Sequence, residues 1–380
     1  MNRALILAVM LLAALCPLHA QWDVQPSSTT ASLRGIHSIG GGIAWASGTE
    51  GTVLRTVDGG ALWRPCAIPP GAEHLDFRGV QALDENTALI MSSGPGPLSR
   101  LYKTTDACRT WRLILTNPDA DGFWDAIQLH PASKRSIDRY EGFLIGDPVA
   151  GHFVLYTTRD AGDTWQPWGP AKTYRPAKAK PRESLFAASN SAMISPGGYG
   201  PVAFVTGGKG GPRLFLADLH SPFDAATWWA FTTIKLPMPS GPESGAFSVA
   251  LRNGTNHHPF PDLMIVGGNY KDPEAGAAVF VPWRAPFKNL FSSPVIASEH
   301  LPHGYRSSVV YDAAASTWIA VGPTGTDIST DDGRTWIALH PNPALHEPAG
   351  ADRDWNAISL PFVVGPHGRI GKLRPNALHP

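Results

Sequence analysis

The stretches TRDAGDTW (158–165) and STDDGRTW (329–336) are two copies of one pattern, S/T-x-D-x-G-x-T-W. Two more segments share it with one change each. TVDGGALW (56–63) lacks the second threonine, and TTDACRTW (104–111) has Cys108 where glycine is usual. Such recurrence within one chain indicates a repeat architecture.

The pattern, known as the Asp-box, has the composition of a hairpin turn. Its aspartate can accept backbone N–H groups across the turn, and its glycine supplies a positive φ. The tryptophan begins the next strand and fills the gap to a neighbouring sheet. We therefore assign a structural role to the aspartates and tryptophans of the four boxes, namely Asp58, Asp106, Asp160, Asp331, Trp63, Trp111, Trp165 and Trp336.

The spacing of the boxes predicts the fold. The first three follow one another at intervals of about 50 residues, and the fourth comes after about three such intervals, so two boxes have lost their consensus. The remnants lie at 213–231 and 277–291. A unit of this length with four short strands is typical of a propeller blade. Inner strands are expected near seven positions: Arg34, Arg78, Asp125, Phe186, Phe247, Arg306 and Asn356.

We therefore predict an all-β chain whose residues 21–380 form a single seven-bladed β-propeller of four-stranded antiparallel blades. The last blade has no Asp-box, because the chain ends soon after its third strand. The missing outer strand is expected from residues 21–25, where QWDVQ resembles the strand that follows each box. This pairing would close the ring and leave no open sheet edge.

Composition supports this fold and argues against a disordered chain and against nucleic-acid binding. The 39 glycines and 36 prolines argue against long helices, and 13 tryptophans favour many short strands. Lys+Arg and Asp+Glu balance at 31 each, and 43% of the residues are hydrophobic. A charge-neutral, apolar-rich chain is neither disordered nor a typical binder of nucleic acid.

Residues 1–20 have the features of a signal peptide: a basic start, an apolar run and Leu18-His19-Ala20 before Gln21. We expect export to the periplasm or the extracellular space, with no transmembrane span and a monomeric protein. Two cysteines then remain, Cys66 and Cys108. An oxidising compartment permits a disulfide between them, and free buried cysteines are the alternative.

Several stretches resemble a known family: LDFR (75–78), SRLYKT (99–104), GDPV (146–149), FAAS (186–189), GGNY (267–270) and HGYRS (303–307). Together with the boxes, they make the chain similar to the BNR/Asp-box class, which includes sialidases, other glycosidases, sortilin-type receptors and photosystem II stability/assembly factors. It is most similar to exported bacterial seven-bladed proteins related to those assembly factors. The resemblance implies a scaffold that holds a protein partner on one face. Asn269 departs from the Gly-Gly-Asp-Tyr usual in that group.

The ends at which new inner strands begin should surround the central opening. Arg34, Arg78 and Arg306 occupy equivalent positions there, Asp125 takes that position in blade three, and Glu183 lies just before it in blade four. Clustered guanidiniums predict a site for an anionic ligand or a protein partner, with Tyr305 beside it. The alternative is a set of structural ion pairs that join blades, formed with Asp76, Asp354 or Glu183.

An enzyme is the second hypothesis. In a sialidase-like site, the three arginines would hold a carboxylate, Tyr305 or Tyr270 would be the nucleophile, and Glu183 or Asp125 would activate it. Asp125 and Glu183 could instead form a carboxylate pair. Sialidases have six blades and an Arg-Ile-Pro segment that this chain lacks, so the sequence favours a non-catalytic role.

No motif indicates a cofactor or a metal, since the chain has no dinucleotide-binding glycine pattern and its histidines are scattered. One segment departs from the repeat. Residues 168–182 (WGPAKTYRPAKAKPR) hold five basic residues among prolines in the connection from blade three to blade four. They are interpreted as a solvated loop, or alternatively as a basic lip that attracts an acidic partner.

Overall fold

The repeat builds seven antiparallel sheets that succeed one another along the chain. The computed structural model describes residues 21–133, 136–168, 177–196, 202–217, 231–254, 261–283, 294–341, 347–375 and 377–378. These residues form an all-β propeller of seven blades, which confirms the predicted fold class. A short 3-10 helix at Gly96–Leu98 interrupts blade two.

In each blade, the first strand pairs with the second, the second with the third and the third with the fourth. The first three blades contain strands β2–β13: Leu33–Gly40, Ile43–Gly48, Val53–Thr56 and Arg64–Pro65 in blade one; Phe77–Ala82, Ala88–Ser92, Arg100–Thr104 and Arg112–Thr116 in blade two; Trp124–Ser133, Ser136–Val149, His152–Thr158 and Gln166–Pro167 in blade three.

The later blades depart from strict chain order in two places: blade four skips one short strand, and blade seven takes its outer strand from the N-terminal segment. The strands are β15 Met193–Ile194, β16 Val202–Val205, β18 Arg213–Ala217 and β19 Thr232–Lys235 in blade four; β20 Gly241–Arg252, β21 Asp262–Asn269, β22 Asp272–Pro282 and β23 Ile296–Ala297 in blade five; β24 Ser308–Asp312, β25 Thr317–Gly322, β26 Gly325–Ser329 and β27 Ile337–Leu339 in blade six; β28 Ala357–Ser359, β29 Phe362–Val364, β30 Ile370–Leu373 and β1 Trp22–Gln25 in blade seven.

The N-terminal strand closes the ring as the sequence predicts. β1 pairs antiparallel with β30, from Trp22 opposite Leu373 to Gln25 opposite Ile370. The Trp22 ring is fully buried, and its indole N–H donates to the Thr326 hydroxyl of blade six at 3.1 Å. The last blade thus joins both ends of the chain, and its sheet has no unpaired third strand.

Blade five extends beyond four strands. Two short strands, β14 (Glu183–Ser184) and β17 (Gly207–Gly208), add to the inner edge of β20, so that this sheet has six strands. The sequence placed the inner strand of blade four near Phe186, which is wrong: that strand begins at Met193. The preceding segment contains β14, which pairs with β17, and β17 in turn pairs with the extended start of β20 in the neighbouring blade.

The Asp-box turns share one set of hydrogen bonds. In the third box, the Thr158 hydroxyl donates to Asp160 at 2.8 Å, and Asp160 accepts the Thr164 amide at 2.9 Å and the Thr164 hydroxyl at 2.6 Å. Equivalent bonds from the first hydroxyl and from the amide four residues beyond the aspartate occur in all four boxes. Because these carboxylates are satisfied locally, the turns are structural.

The box tryptophans pack between sheets. Trp63, Trp165 and Trp336 are buried, and Trp63 lies 5.3 Å from the ring of Phe362, which belongs to the closing blade. Trp111 is only partly buried, and its ring lies 6.5 Å from that of Trp45. Aromatic contacts of this kind stabilise the interfaces between neighbouring blades.

One sequence question outside the repeat is answered in the described residues. Cys66 and Cys108 form a disulfide, which joins blade one to the Asp-box turn of blade two. None of the helical structure described is long and apolar enough to span a membrane. The two eroded boxes have described flanking strands, but residues 218–230 and 284–293, which include their turns, lie outside the described residues.

Candidate binding site at the axial face

Irregular pairing in the first strands of several blades positions the side chains at the axial face. The ladder between the first and second strands shifts register around Arg34, Arg78, Asp125 and Phe247, which leaves each of these residues without a direct partner in the sheet. Such β-bulges re-aim a side chain away from the regular alternation of a strand. The same local device therefore recurs in blades one, two, three and five.

Arg78 connects blade two to the segment that leads to blade four. Its Nε donates to Asp76 Oδ2 at 2.8 Å, and its Nη1 donates to the carbonyl of Ala187 at 3.0 Å, in the segment that leads to blade four. The side chains of Arg78 and Asp76 are 28% and 21% exposed. A partly exposed ion pair leaves guanidinium surface open to a ligand.

Arg34 lies beside this pair with part of its guanidinium unsatisfied. Its Nε is buried and has no hydrogen-bond partner among the described residues, and the same holds for Asp76 Oδ1. Burial lowers the pKa of Arg34; the negative charge of Asp76 opposes this, and the positive charge of Arg78 adds to it. The guanidiniums of Arg34 and Arg78 thus lie close enough to interact electrostatically with each other and with Asp76.

Asp125 and Asp147 form a second acidic element of the site. Asp125 is buried, and its Oδ2 has no hydrogen-bond partner in the described structure. Burial raises the pKa of Asp125 well above its usual value, the charge of Asp147 raises it further, and Arg78 opposes both effects. Burial also raises the pKa of Asp147 to about 6, although the Leu185 amide donates to its Oδ1 at 2.8 Å.

Aromatic rings form the opposite side of the site. Phe186 stacks on Phe247 with centroids 4.1 Å apart, and Tyr305 meets Phe247 edge-on at 4.7 Å. Tyr270 contacts Phe186 edge-on at 6.1 Å and is 44% exposed. Burial raises the pKa of Tyr305, and the nearby charges of Arg34 and Arg78 oppose that rise. Tyr305 therefore lies between the aromatic and the basic sides.

The structure removes Arg306 from the predicted arginine cluster. Its side chain is 1% exposed and pairs with the fully buried Asp327, whose Oδ2 accepts Nε at 2.5 Å. Its Nη1 donates to the Thr324 hydroxyl at 2.7 Å. The prediction that Arg306 binds a ligand is wrong, because its hydrogen bonds hold blade six internally and leave no exposed donor.

Glu183 is likewise a structural residue. Its carboxylate is fully buried, and it accepts the Thr206 hydroxyl at 2.7 Å and Arg213 Nε at 2.8 Å through Oε1. Its Oε2 accepts the Lys180 amide at 2.8 Å and a second bond from Arg213. Glu183 therefore anchors β14 and cannot serve as the acid or activator that the enzyme hypothesis assigned to it.

The remaining predicted residues meet only in part. Arg34, Arg78, Asp125 and Tyr305 come together, and Tyr270 stands at the edge of the group on the turn between β21 and β22. Asn269 accepts the amides of Lys271 and Asp272 at 2.9 and 3.3 Å, so it shapes this turn without a charge. Of the basic segment, residues 169–176 lie outside the described part of the chain.

Four residues of the site were not predicted as site residues from the sequence: Asp76, Asp147, Phe186 and Phe247. Asp147 and Phe247 carry no motif of their own, and Asp76 entered only as a possible ion-pair partner. Asp76 and Asp147 nevertheless lie within the stretches LDFR and GDPV that carry the family resemblance. That coincidence is the signal that could have pointed to them.

A separate cleft of about 430 Å³ lies where the ring closes, between the end of β1 and the turn from β29 to β30. Arg369 lines it, and its guanidinium lies 4.6 Å from the centroid of the Trp355 ring and donates to the Gly350 carbonyl at 2.6 Å. None of the predicted site residues lines this cleft.

Solved structures share the fold. YCF48 from Cyanidioschyzon merolae is 17% identical with a TM-score of 0.58, over 94% of this chain and all of that one (100%). A structure of YCF48 bound to a D1 peptide is 16% identical with a TM-score of 0.55, over 94% and 98%. The GH74 xyloglucanase from Xanthomonas campestris is 12% identical with a TM-score of 0.57, over 93% of this chain and 53% of the enzyme.

These similarities confirm the resemblance to the photosystem II assembly factors at the level of the propeller fold. No family model and no curated protein sequence matches the chain. At these identities the shared architecture alone is established, and the same architecture occurs in a peptide-binding protein and in a glycoside hydrolase.

Proposed function

We propose that this protein is an exported, non-catalytic binding scaffold whose axial face holds an anionic group of a protein partner between Arg34 and Arg78. The observation that carries the proposal is the unsatisfied, buried Nε of Arg34 beside a second, partly exposed guanidinium. A buried donor without an acceptor is costly, and an incoming carboxylate would supply the acceptor.

Two further observations support this proposal. YCF48, which has the same fold, has a structure with a bound peptide. The disulfide between Cys66 and Cys108 suits an oxidising compartment, periplasmic or extracellular, into which a signal peptide at residues 1–20 would direct the chain.

The test is affinity capture from the envelope fraction of the native host, with quantitative identification of the captured proteins. Arg34→Gln and Arg78→Gln should each reduce recovery of the partner about tenfold. The matched control is Arg112→Gln, which removes an exposed arginine from an outer strand and should leave recovery unchanged. Equal recovery with all three variants, each folded by circular dichroism, would overturn the proposal.

Glycoside hydrolysis is the second candidate, supported by the shared fold of the xyloglucanase and by the buried Asp125–Asp147 pair. A protonated carboxyl beside an ionised one is the arrangement that acid catalysis of glycosides uses. Release of sugar from a panel of chromogenic glycosides, lost on Asp125→Asn, would favour this candidate over the scaffold.

A further inference from the structure

The axial site has a basic side and an aromatic side that lie next to each other. Arg78 donates to the carbonyl of Ala187, the residue that follows Phe186. Tyr305 packs on Phe247 and also lies within the electrostatic reach of Arg34 and Arg78. A ligand group bound to the guanidiniums is therefore next to the aromatic rings.

The outermost ring of this aromatic side is unusually exposed. Tyr270, at 44%, is the only aromatic among the exposed large hydrophobic side chains of the described residues. Its ring contacts both Phe186 and Phe247, at 6.1 and 6.2 Å, and so extends their surface outward. The turn that carries it is stabilised by the Asn269 side chain, which accepts the amides of Lys271 and Asp272.

Charge and shape together restrict what this surface would bind. Guanidiniums select carboxylates through charge-assisted hydrogen bonds. Ring edges and faces prefer another aromatic ring, in offset or edge-on geometry, to an aliphatic chain of similar size. A small inorganic anion would satisfy Arg34 and leave the aromatic side uncovered.

We infer that the axial site recognises a peptide segment in which a carboxylate lies beside an aromatic side chain. This inference rests on the proposed function and specifies its ligand. The carboxylate binds Arg34 and Arg78, and the aromatic side chain packs against Tyr270 and Phe186. The carboxylate can come from a chain terminus or from an acidic side chain, since both present the same group.

The test compares small probes by ligand-observed NMR titration of the whole protein. 3-Phenylpropionate should bind about tenfold more tightly than propionate, 3-cyclohexylpropionate and the neutral 3-phenylpropanamide. Tyr270→Ala should bring 3-phenylpropionate down to the level of propionate, and Tyr270→Phe should preserve its advantage. Ile337→Ala, which trims an exposed side chain on an outer strand, is the matched control.

The outcomes separate this inference from the proposal on which it rests. If the three carboxylates bind equally and depend on Arg34 and Arg78, the ligand class is wrong and the anion site stands. If binding is unaffected by Arg34→Gln and by Arg78→Gln, the proposed function itself fails. Either variant suffices for this comparison should the other not fold.

Two peptide probes distinguish the sources of the carboxylate. N-Acetyl-phenylalanine offers a terminal carboxylate, whereas N-acetyl-Asp-Phe-amide offers one from a side chain. Tighter binding of either peptide than of its alanine counterpart supports the inference and identifies the source. No advantage of phenylalanine over alanine in both peptides would overturn it.

Discussion

The rim and the axis of this propeller use aspartate in opposite ways. At the rim, Asp160 accepts three hydrogen bonds within its own turn; Asp106 and Asp331 repeat all three, and Asp58 keeps two of them. At the axis, Asp125 is buried with an oxygen that has no partner among the described residues. An aspartate whose hydrogen bonds are satisfied within its own turn has a structural role. A buried polar group without hydrogen-bond partners needs another explanation.

The same contrast divides the arginines of the axial face. Arg306 and Arg34 both stand at the start of an inner strand, but Arg306 is enclosed with Asp327, and Arg34 retains a donor without an acceptor. Equivalent positions in a repeat therefore do not imply equivalent roles. What separates them is whether a nearby carboxylate completes the guanidinium's hydrogen bonds.

The largest loss of stability is expected where a buried, hydrogen-bonded ion pair is broken. Asp327→Ala removes the hydrogen-bonded counter-charge of the buried Arg306 and should destabilise the fold by about 3–5 kcal/mol. Urea unfolding measures this loss. The control is Asp23→Ala, which breaks the more exposed pair with Arg374 and should cost about 0–1 kcal/mol. Similar losses in both variants would show that burial does not distinguish these pairs.

A smaller effect is expected at the rim. Asp160→Ala removes the acceptor of three hydrogen bonds in an exposed turn and should cost roughly 1–2 kcal/mol. Asp160→Asn keeps one carbonyl oxygen as an acceptor and should cost less. Thermal unfolding of the two variants checks the order, and binding of any axial ligand should not change. A loss of binding with Asp160→Ala would contradict the separation of rim from axis.

The sequence predicted the fold better than the site, for a physical reason. Each Asp-box is a local turn whose partners lie within a few residues, so its pattern is visible in the chain. Arg306 is buried because it pairs with Asp327 of β26, and Glu183 of β14 is buried because it pairs with Arg213 of β18. Side-chain partners at such separations leave no periodic signal. The added strands β14 and β17 likewise depend on the length of β20.

The acidic residues of the axis should make the stability of the protein depend on pH. The folded-state pKa of Asp147 is raised from 3.8 to about 6, and burial raises that of Asp125 well above its usual value. A carboxyl with a raised folded-state pKa contributes stability at pH values below its unfolded pKa. For Asp147, that contribution is lost as pH rises from 3.8 to about 6, and none of it remains above the folded pKa.

Asp125→Asn replaces the buried carboxyl with a neutral group of nearly the same shape, close to its protonated form. The variant should therefore match the wild type in stability near pH 4 and exceed it at pH 8 by on the order of 1 kcal/mol. Urea unfolding across this pH range measures the difference. Asp160→Asn, at the satisfied rim, should be less stable than the wild type at pH 8. If both variants lose stability at pH 8, Asp125 is held by contacts as favourable as those of an Asp-box, and the contrast between axis and rim fails.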